Sequence, residues 1–191
     1  FSYVRQKAPK GIGDAVLQGF ALTNNEPVAV MSGDDIIDSQ VPALKQLINV
    51  YKKYGGPVIA LKKIPLSEAN KYGVIKGKNL GNGVWKINGV VEKPKPEKAP
   101  SDMMVISKYV LTPAVFRALS KTKPAPNGEI YLTEAVDNYI KSGGKMYGYE
   151  VKGEWYDCGD KLGYMKAMVN YGLKHPELAD GFKEYLRSFK V

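Results

Sequence analysis

Cysteine and histidine are almost absent from this chain: Cys158 and His175 stand alone among 191 residues. One cysteine excludes an internal disulfide, and one of each excludes a zinc centre built from Cys and His. A Ser-His-Asp triad would have to recruit His175, which closes the segment Leu173-Lys174-His175-Pro176, where contact with a helix C-terminus explains it better. Any metal must then be a hard cation held by carboxylates, magnesium rather than zinc. Acidic residues are also in the minority, 19 against 28 lysines and arginines, a net charge of +9. That excess suits an anionic ligand. The lysines are spread along the chain and not gathered with aromatic residues into one segment, so nucleic acid is not an expected partner. No apolar run is long enough to span a bilayer and no signal peptide opens the chain. A cytoplasmic protein with no membrane partner is the expectation.

What is present is an ordinary globular composition, 44% hydrophobic and 25% charged. It can fill one well-buried core, so residues 1–191 are read as a single domain or most of a larger one. Residues 2–6 read as a short strand, and Gly11-Ile12-Gly13 opens a helix with Ala15, Val16 and Phe20 on its inner side. Val28-Ala29-Val30-Met31 is a continuous apolar run of the kind covered on both faces. After Asp38 or Ser39 as N-cap, Val41, Leu44, Leu47, Ile48 and Tyr51 follow helical spacing until Gly55-Gly56, and Val58 to Leu61 form the next strand. This βαβα alternation predicts an α/β fold with an open, mostly parallel, Rossmann-like sheet and helices on both faces. Residues 72–75, 83–91 and 103–110 read as strands joined by Gly-, Asn- and Pro-rich turns, a small antiparallel addition. Helices are expected over residues 112–119 and 128–140, and a strand over residues 145–151. Two final helices carry apolar stripes at Leu162, Met165, Val169 and Leu173 and at Leu178, Phe182, Tyr185, Leu186 and Phe189. The last stripe packs on its own domain or covers a subunit interface.

Four places carry chemistry. Glu92-Lys93, just after Val90-Val91, sets an acceptor for sugar hydroxyls beside a phosphate-neutralising ammonium, although a solvated turn would use the same dipeptide. Gly33-Asp34-Asp35 ends an apolar strand, which is where open α/β sheets bind ligands, and Asp34 is a metal candidate or a turn cap. Asp157, after Trp155-Tyr156, is a second strand-end carboxylate that either joins Asp34 on one magnesium ion or caps a helix. Gly11 and Gly13 do not complete G-x-G-x-x-G, because Val16 occupies the last position, and no P-loop pattern occurs. The Gly11 backbone and the Gln6 amide can still hydrogen-bond a base edge.

The blocks Arg5-Gln6, Lys10-Gly11-Ile12-Gly13-Asp14-Ala15, Gly33-Asp34-Asp35, Tyr72-Gly73-Val74, Val91-Glu92-Lys93-Pro94, Gly128-Glu129-Ile130-Tyr131-Leu132-Thr133-Glu134-Ala135 and Asp157-Cys158-Gly159-Asp160-Lys161-Leu162-Gly163-Tyr164 follow one another along nearly the whole chain. In that order they resemble the prokaryotic-type UTP-glucose-1-phosphate uridylyltransferases. The Asp-Cys-Gly-x-Lys-Leu-Gly-Tyr segment is the most specific, since related thymidylyltransferases tend to carry Asp-Thr-Gly there.

The resemblance implies a nucleotide-diphospho-sugar transferase fold and an enzyme that moves a uridylyl group from UTP to glucose 1-phosphate, giving UDP-glucose and pyrophosphate with Mg2+. It implies that Gln6 and Gly11 read the pyrimidine, that Gly73 touches the sugar through its backbone and that Glu92 accepts glucose hydroxyls. Lys93 and Asp34 become the catalytic residues, Lys93 on the sugar phosphate and Asp34 on the metal, with Asp157 as the second metal-side carboxylate. Glu129 and Thr133 lie in a shared block without an implied role. Family chains open with a strand and a Gly-rich loop, with an arginine and a lysine that grip the triphosphate. None of these occurs here. The implied chain is the C-terminal part of a longer domain, lacking its N-terminal strands and inactive by itself, with a homo-oligomer as a further expectation. A thymidylyl- or cytidylyltransferase would use the same Glu92-Lys93 pair, and a non-catalytic binder of UDP-sugars would tolerate the absent loop.

Overall fold

The computed structural model describes residues 1–189. In chain order its elements are α1 (Gly11–Gln18), β1 (Val28–Met31), β2 (Asp35–Asp38), α2 (Ala43–Tyr54), β3 (Val58–Lys63), β4 (Gly73–Gly81), β5 (Val84–Glu92), β6 (Met103–Leu111), α3 (Pro113–Leu119), α4 (Leu132–Lys141), β7 (Met146–Glu150), β8 (Glu154–Asp157), α5 (Lys161–Lys174) and α6 (Ala179–Arg187). They form two compact units. The larger holds residues 1–31 and 41–152, the smaller residues 32–40 and, of the described residues, 153–189.

The larger unit is built on a six-stranded sheet in the order β1-β6-β3-β7-β5-β4. The α/β class holds, but the sheet is mixed rather than mostly parallel. Only β3–β7 runs parallel, and the other pairings are antiparallel. Nor is it open: β4 returns to β6 through the pair Val74–Met104, closing the strands between them into a ring. The physical cause is the long β4–β5 hairpin. Its two-residue turn, Asn82-Gly83, has positive φ at both positions (51° and 76°), the geometry that matches strand twist and favours Asn-Gly. Two register shifts, at Lys76/Gly77 and Asn79/Gly81, add further twist. At Gly77 a Cβ would fall 2.6 Å from the Lys86 carbonyl oxygen, so glycine is required where the bulged strands approach.

Ile59, Leu61, Ile75, Phe116, Leu119 and Leu132 join a core cluster under α3 and α4. Their alternates on β3, Val58 and Ala60, are just as fully buried and lie on the opposite face, towards α2. Burying each large side chain contributes roughly 1.5–3 kcal/mol. Phe20 extends the cluster by stacking on Phe116, with ring centroids 4.5 Å apart.

Several expectations change in detail. Residues 2–6 form no strand. Val16, Leu17 and Phe20 pack on the core while Ala15 is exposed. β1 is buried on one face only, because it is the edge of its sheet and alternates half-buried Val28 and Val30 with exposed Ala29 and Met31. Asp38 lies in a strand and does not cap α2, which instead starts after Pro42 and ends at left-handed Gly55. Helix α4 begins at Leu132, residues 128–131 having no helical backbone.

In the smaller unit β2 pairs antiparallel with β8, setting Asp35 opposite Asp157. Asp160 caps α5 by accepting from the Gly163 N–H at 2.9 Å. Asp38 accepts from Asn170 (2.9 Å) and Lys174 (2.5 Å), fixing α5 on β2. His175 stands at the α5 C-terminus, as its sequence neighbours suggest. Phe182 of α6 lies against Gly172, where a Cβ would come within 2.7 Å of the ring. The apolar stripes are largely uncovered, with Leu162, Met165, Leu178, Tyr185 and Phe189 all more than half exposed. Among the described residues no helix is long and apolar enough to cross a membrane.

Candidate active site

Glu92 is the last residue of β5 and pairs with Gly73, the first residue of β4. The two backbones lie close to the start of α4, so a Cβ on Gly73 would sit 2.9 Å from Thr133 Cγ2 and 3.2 Å from Glu92 Oε2. Thr133, itself buried, donates its hydroxyl hydrogen to Glu92 Oε2 at 2.7 Å, which leaves Oε1 to accept from a ligand. These residues line a cavity of about 140 Å³ together with Ile12, Lys71, Tyr72, Ser107, Tyr109 and Tyr131. That volume suits one hexose ring better than a whole nucleotide. Lys93 follows with φ +44°, its N–H held by the Tyr72 carbonyl at 3.1 Å. The left-handed backbone turns its side chain towards α4, placing Nζ 6.0 Å from the centre of the Tyr131 ring that lines the cavity.

A second constellation lies at the start of α1. Gly11 has φ +85°, and a Cβ there would meet the Ile130 carbonyl at 2.9 Å. The turn is pinned from both sides, because the Gly13 N–H donates to Ile130 O and the Ile130 N–H to Lys10 O. Gln6 is drawn to this turn. Its Nε2 donates to Gly11 O at 3.1 Å and to Asp14 Oδ2 at 2.7 Å, so both amide hydrogens are used and Oε1 remains.

In the smaller unit, Asp34 and Asp157 approach one another around Gly159. A Cβ at Gly159 would lie 3.2 Å from Asp34 Oδ2 and 3.1 Å from Asp157 Oδ1, and the Gly159 N–H donates to that same Asp157 oxygen at 3.0 Å. The Cys158 N–H donates to Asp34 O at 2.8 Å, and the Trp155 indole to Asp35 Oδ1 at 2.7 Å. Burial, and after it the charges of Asp157, Asp34 and Asp35, push the Cys158 thiol pKa up. Asp34 and Asp157 are the two carboxylates at this place. Among the described residues no group of three or more Asp, Glu, His or Cys could hold a metal ion. Such a pair fits a cation that keeps water and ligand phosphate in its shell, as magnesium does.

Residues 1–173 match the family described as Nucleotidyl transferase. The chain belongs to that family. Curated relatives include UTP-glucose-1-phosphate uridylyltransferases from Streptococcus pneumoniae, 43% identical over 189 residues, and Streptococcus pyogenes, 42% identical over 190. The alignments cover 96% of this chain but 63% and 62% of those proteins, so the chain spans under two thirds of their length. Among solved structures, a UDP-glucose pyrophosphorylase complexed with UDP-glucose superposes with a TM-score of 0.87 at 45% identity, covering 92% of this chain and 67% of that one. A UTP-bound UGPase from Acinetobacter baumannii gives 0.87 at 31% identity, covering 98% and 65%.

For a nucleotidyl transferase, the sequence picks out the ligand-facing groups more readily than their supports. The structure brings Gly73 and Glu92 together, sets Lys93 beside them over Tyr131, and brings Gln6 to Gly11. Within the smaller unit it brings Asp34 to Asp157. Thr133, Asp14 and the Ile130 backbone have no role in the sequence reading. The shared block over residues 128–135 signals the place of two of them, but only the fold reveals Thr133 on Glu92 and Ile130 on the Gly11 turn.

Proposed function

We propose that this chain takes part in uridylyl transfer from UTP to glucose 1-phosphate, giving UDP-glucose and pyrophosphate. The observation that carries the reading is the hexose-sized cavity lined by Gly73, Glu92 and Thr133, with the Lys93 ammonium 6.0 Å from the centre of the Tyr131 ring that also lines it. Glu92 Oε1 accepts from a glucose hydroxyl, and Lys93 meets the sugar's phosphate. Gln6 Oε1 accepts the N3–H of the uracil ring near the Gly11 turn.

A phosphate oxygen of glucose 1-phosphate attacks the α-phosphorus of UTP, a new P–O bond forms, and the bond to the β-phosphate oxygen breaks as pyrophosphate leaves. No general base is needed, because the sugar phosphate has a second pKa of about 6 and is already ionised near neutrality. The obstacle is repulsion between anions, about 4 kcal/mol for two unit charges ~4 Å apart at an effective dielectric of 20. Lys93 offsets part of it and orients the nucleophile. Asp34 and Asp157 would hold Mg2+, which supplies charge neutralisation on the phosphates. Positioning and charge then account for catalysis.

The test is titration of the chain with UDP-glucose, followed by Mg2+-dependent pyrophosphorolysis scored as UTP and glucose 1-phosphate, with dTDP-glucose and CDP-glucose in parallel. Release of UTP supports uridylyl transfer. Binding of UDP-glucose without turnover agrees with a chain that is inactive by itself and supports the ligand assignment, a preference for dTDP-glucose favours a thymidylyltransferase, and failure to bind any of the three overturns the assignment.

A further inference from the structure

We propose that Asp14 is a positioning residue for base selection: it locks the Gln6 amide in the one orientation that accepts uracil or thymine and rejects cytosine. The inference rests on the reading of Gln6 as the base reader.

An amide side chain offers a carbonyl oxygen on one side and two N–H donors on the other, and a half-turn exchanges them at little intrinsic cost. What faces a ligand is therefore decided by what holds the far side. At Gln6 the far side meets only acceptors, the Gly11 carbonyl at 3.1 Å and the Asp14 carboxylate at 2.7 Å. The flipped amide would set its oxygen against two oxygens and lose both bonds. Asp14 is itself fixed. Its other oxygen accepts from Gln18 Nε2 at 3.3 Å, one turn along α1, and it stands in the first turn of that helix, where the dipole favours a carboxylate. The Gly11 carbonyl is held by a turn that Ile130 pins from both sides. The amide is thus presented oxygen outward before any ligand arrives.

Uracil and thymine carry a proton on N3, flanked by carbonyls, and can donate it to such an oxygen. Cytosine has a lone pair at N3. Against a locked oxygen that lone pair meets repulsion, and the amide cannot turn to relieve it while Asp14 stays an anionic acceptor. A site that holds a hydrogen-bonding group in one sense rejects the analogue of the opposite sense strongly. Replacing Asp14 by asparagine gives the far side a donor and lets Gln6 turn over.

The experiment titrates the 191-residue chain and its D14N, D14A and Q6A variants with UDP-glucose and CDP-glucose, with thermal melting to check folding. The wild type is expected to prefer the uridine ligand by about tenfold or more, the weight of a hydrogen bond to a fixed partner. D14N and D14A narrow the ratio to within about threefold, mainly by gaining affinity for the cytidine ligand, a gain that structural damage does not produce. A ratio unchanged in folded D14N and D14A, while Q6A collapses it, overturns the role of Asp14 and leaves Gln6 as base reader. A ratio unchanged in Q6A overturns both that reading and the inference, as does a wild type that binds neither ligand.

Discussion

Thr133 donates its hydroxyl hydrogen to Glu92 Oε2 across 2.7 Å, joining the first turn of α4 to the last residue of β5. One carboxylate oxygen is thus occupied by the protein, in a side chain that lines the cavity.

Removing that hydroxyl at nearly constant shape isolates its effect. Thr133→Val is expected to weaken UDP-glucose binding about tenfold, in line with a hydrogen bond to a charged group, while Thr133→Ser retains most of it. Calorimetric titration with UDP-glucose and with UDP separates a sugar-side loss from a general one. Equal weakening of both ligands would assign Thr133 to the fold rather than to Glu92.

Gly73 tests the packing of the same corner. A methyl group there would meet Thr133 Cγ2 at 2.9 Å, far inside contact distance. Gly73→Ala is expected to cost roughly 1–3 kcal/mol of stability by overpacking and to reduce UDP-glucose binding. Denaturant unfolding at a fixed ligand-free condition measures the first, and a midpoint equal to wild type counts against the close approach.

Asp34 and Asp157 predict a divalent-ion dependence. With Mn2+ as a paramagnetic probe, Asp34→Asn and Asp157→Asn should each lower ion affinity at least about tenfold, the loss that even outer-shell partners of a metal produce. Relaxation titrations showing wild-type affinity in both variants would remove the pair as a metal site.

The Asp38–Lys174 pair in the smaller unit sets a pH window. Hydrogen bonds from Lys174, then Asn170, hold the Asp38 pKa below its ordinary 3.8, and the bond to Asp38 raises Lys174 above its ordinary 10.5. The carboxylate's contribution is present above pH 3.8 and is lost as pH falls through its lower folded value; the ammonium's is present below pH 10.5 and is lost as pH rises through its raised value. Lys174→Met should lower the melting temperature modestly across that window, and the difference from wild type should vanish towards both extremes. A difference that persists unchanged at pH 2 would mean that lost packing, not charge, explains it.

Phe116 gauges the core under α3 and α4. It is 1% exposed and stacked on Phe20, so Phe116→Ala should cost roughly 3–5 kcal/mol, read from the denaturant midpoint.

Local chemistry made much of this protein legible in the sequence. Gly55 ends α2 because its position needs positive φ, and the apolar run Val58-Ile59-Ala60-Leu61 is a strand, while the Gly- and Asn-rich turns suggest hairpins without revealing that β4 runs on to Gly81 and turns at Asn82-Gly83. Glu92 and Lys93 stand out because that pair of charges at a strand end suits a sugar phosphate, whereas Gly73 is marked only by the family resemblance. The direction and closure of the sheet were decided elsewhere, since hydrophobic runs record which residues are buried but not which strand lies beside them. Val74 reaches Met104 only through the twist of a bulged hairpin. The supports of the site belong to the same level: Thr133 lies 41 residues beyond Glu92, and Asp14 eight beyond Gln6. A threonine or aspartate in a helix's first turn has many possible partners, and only the folded backbone selects one.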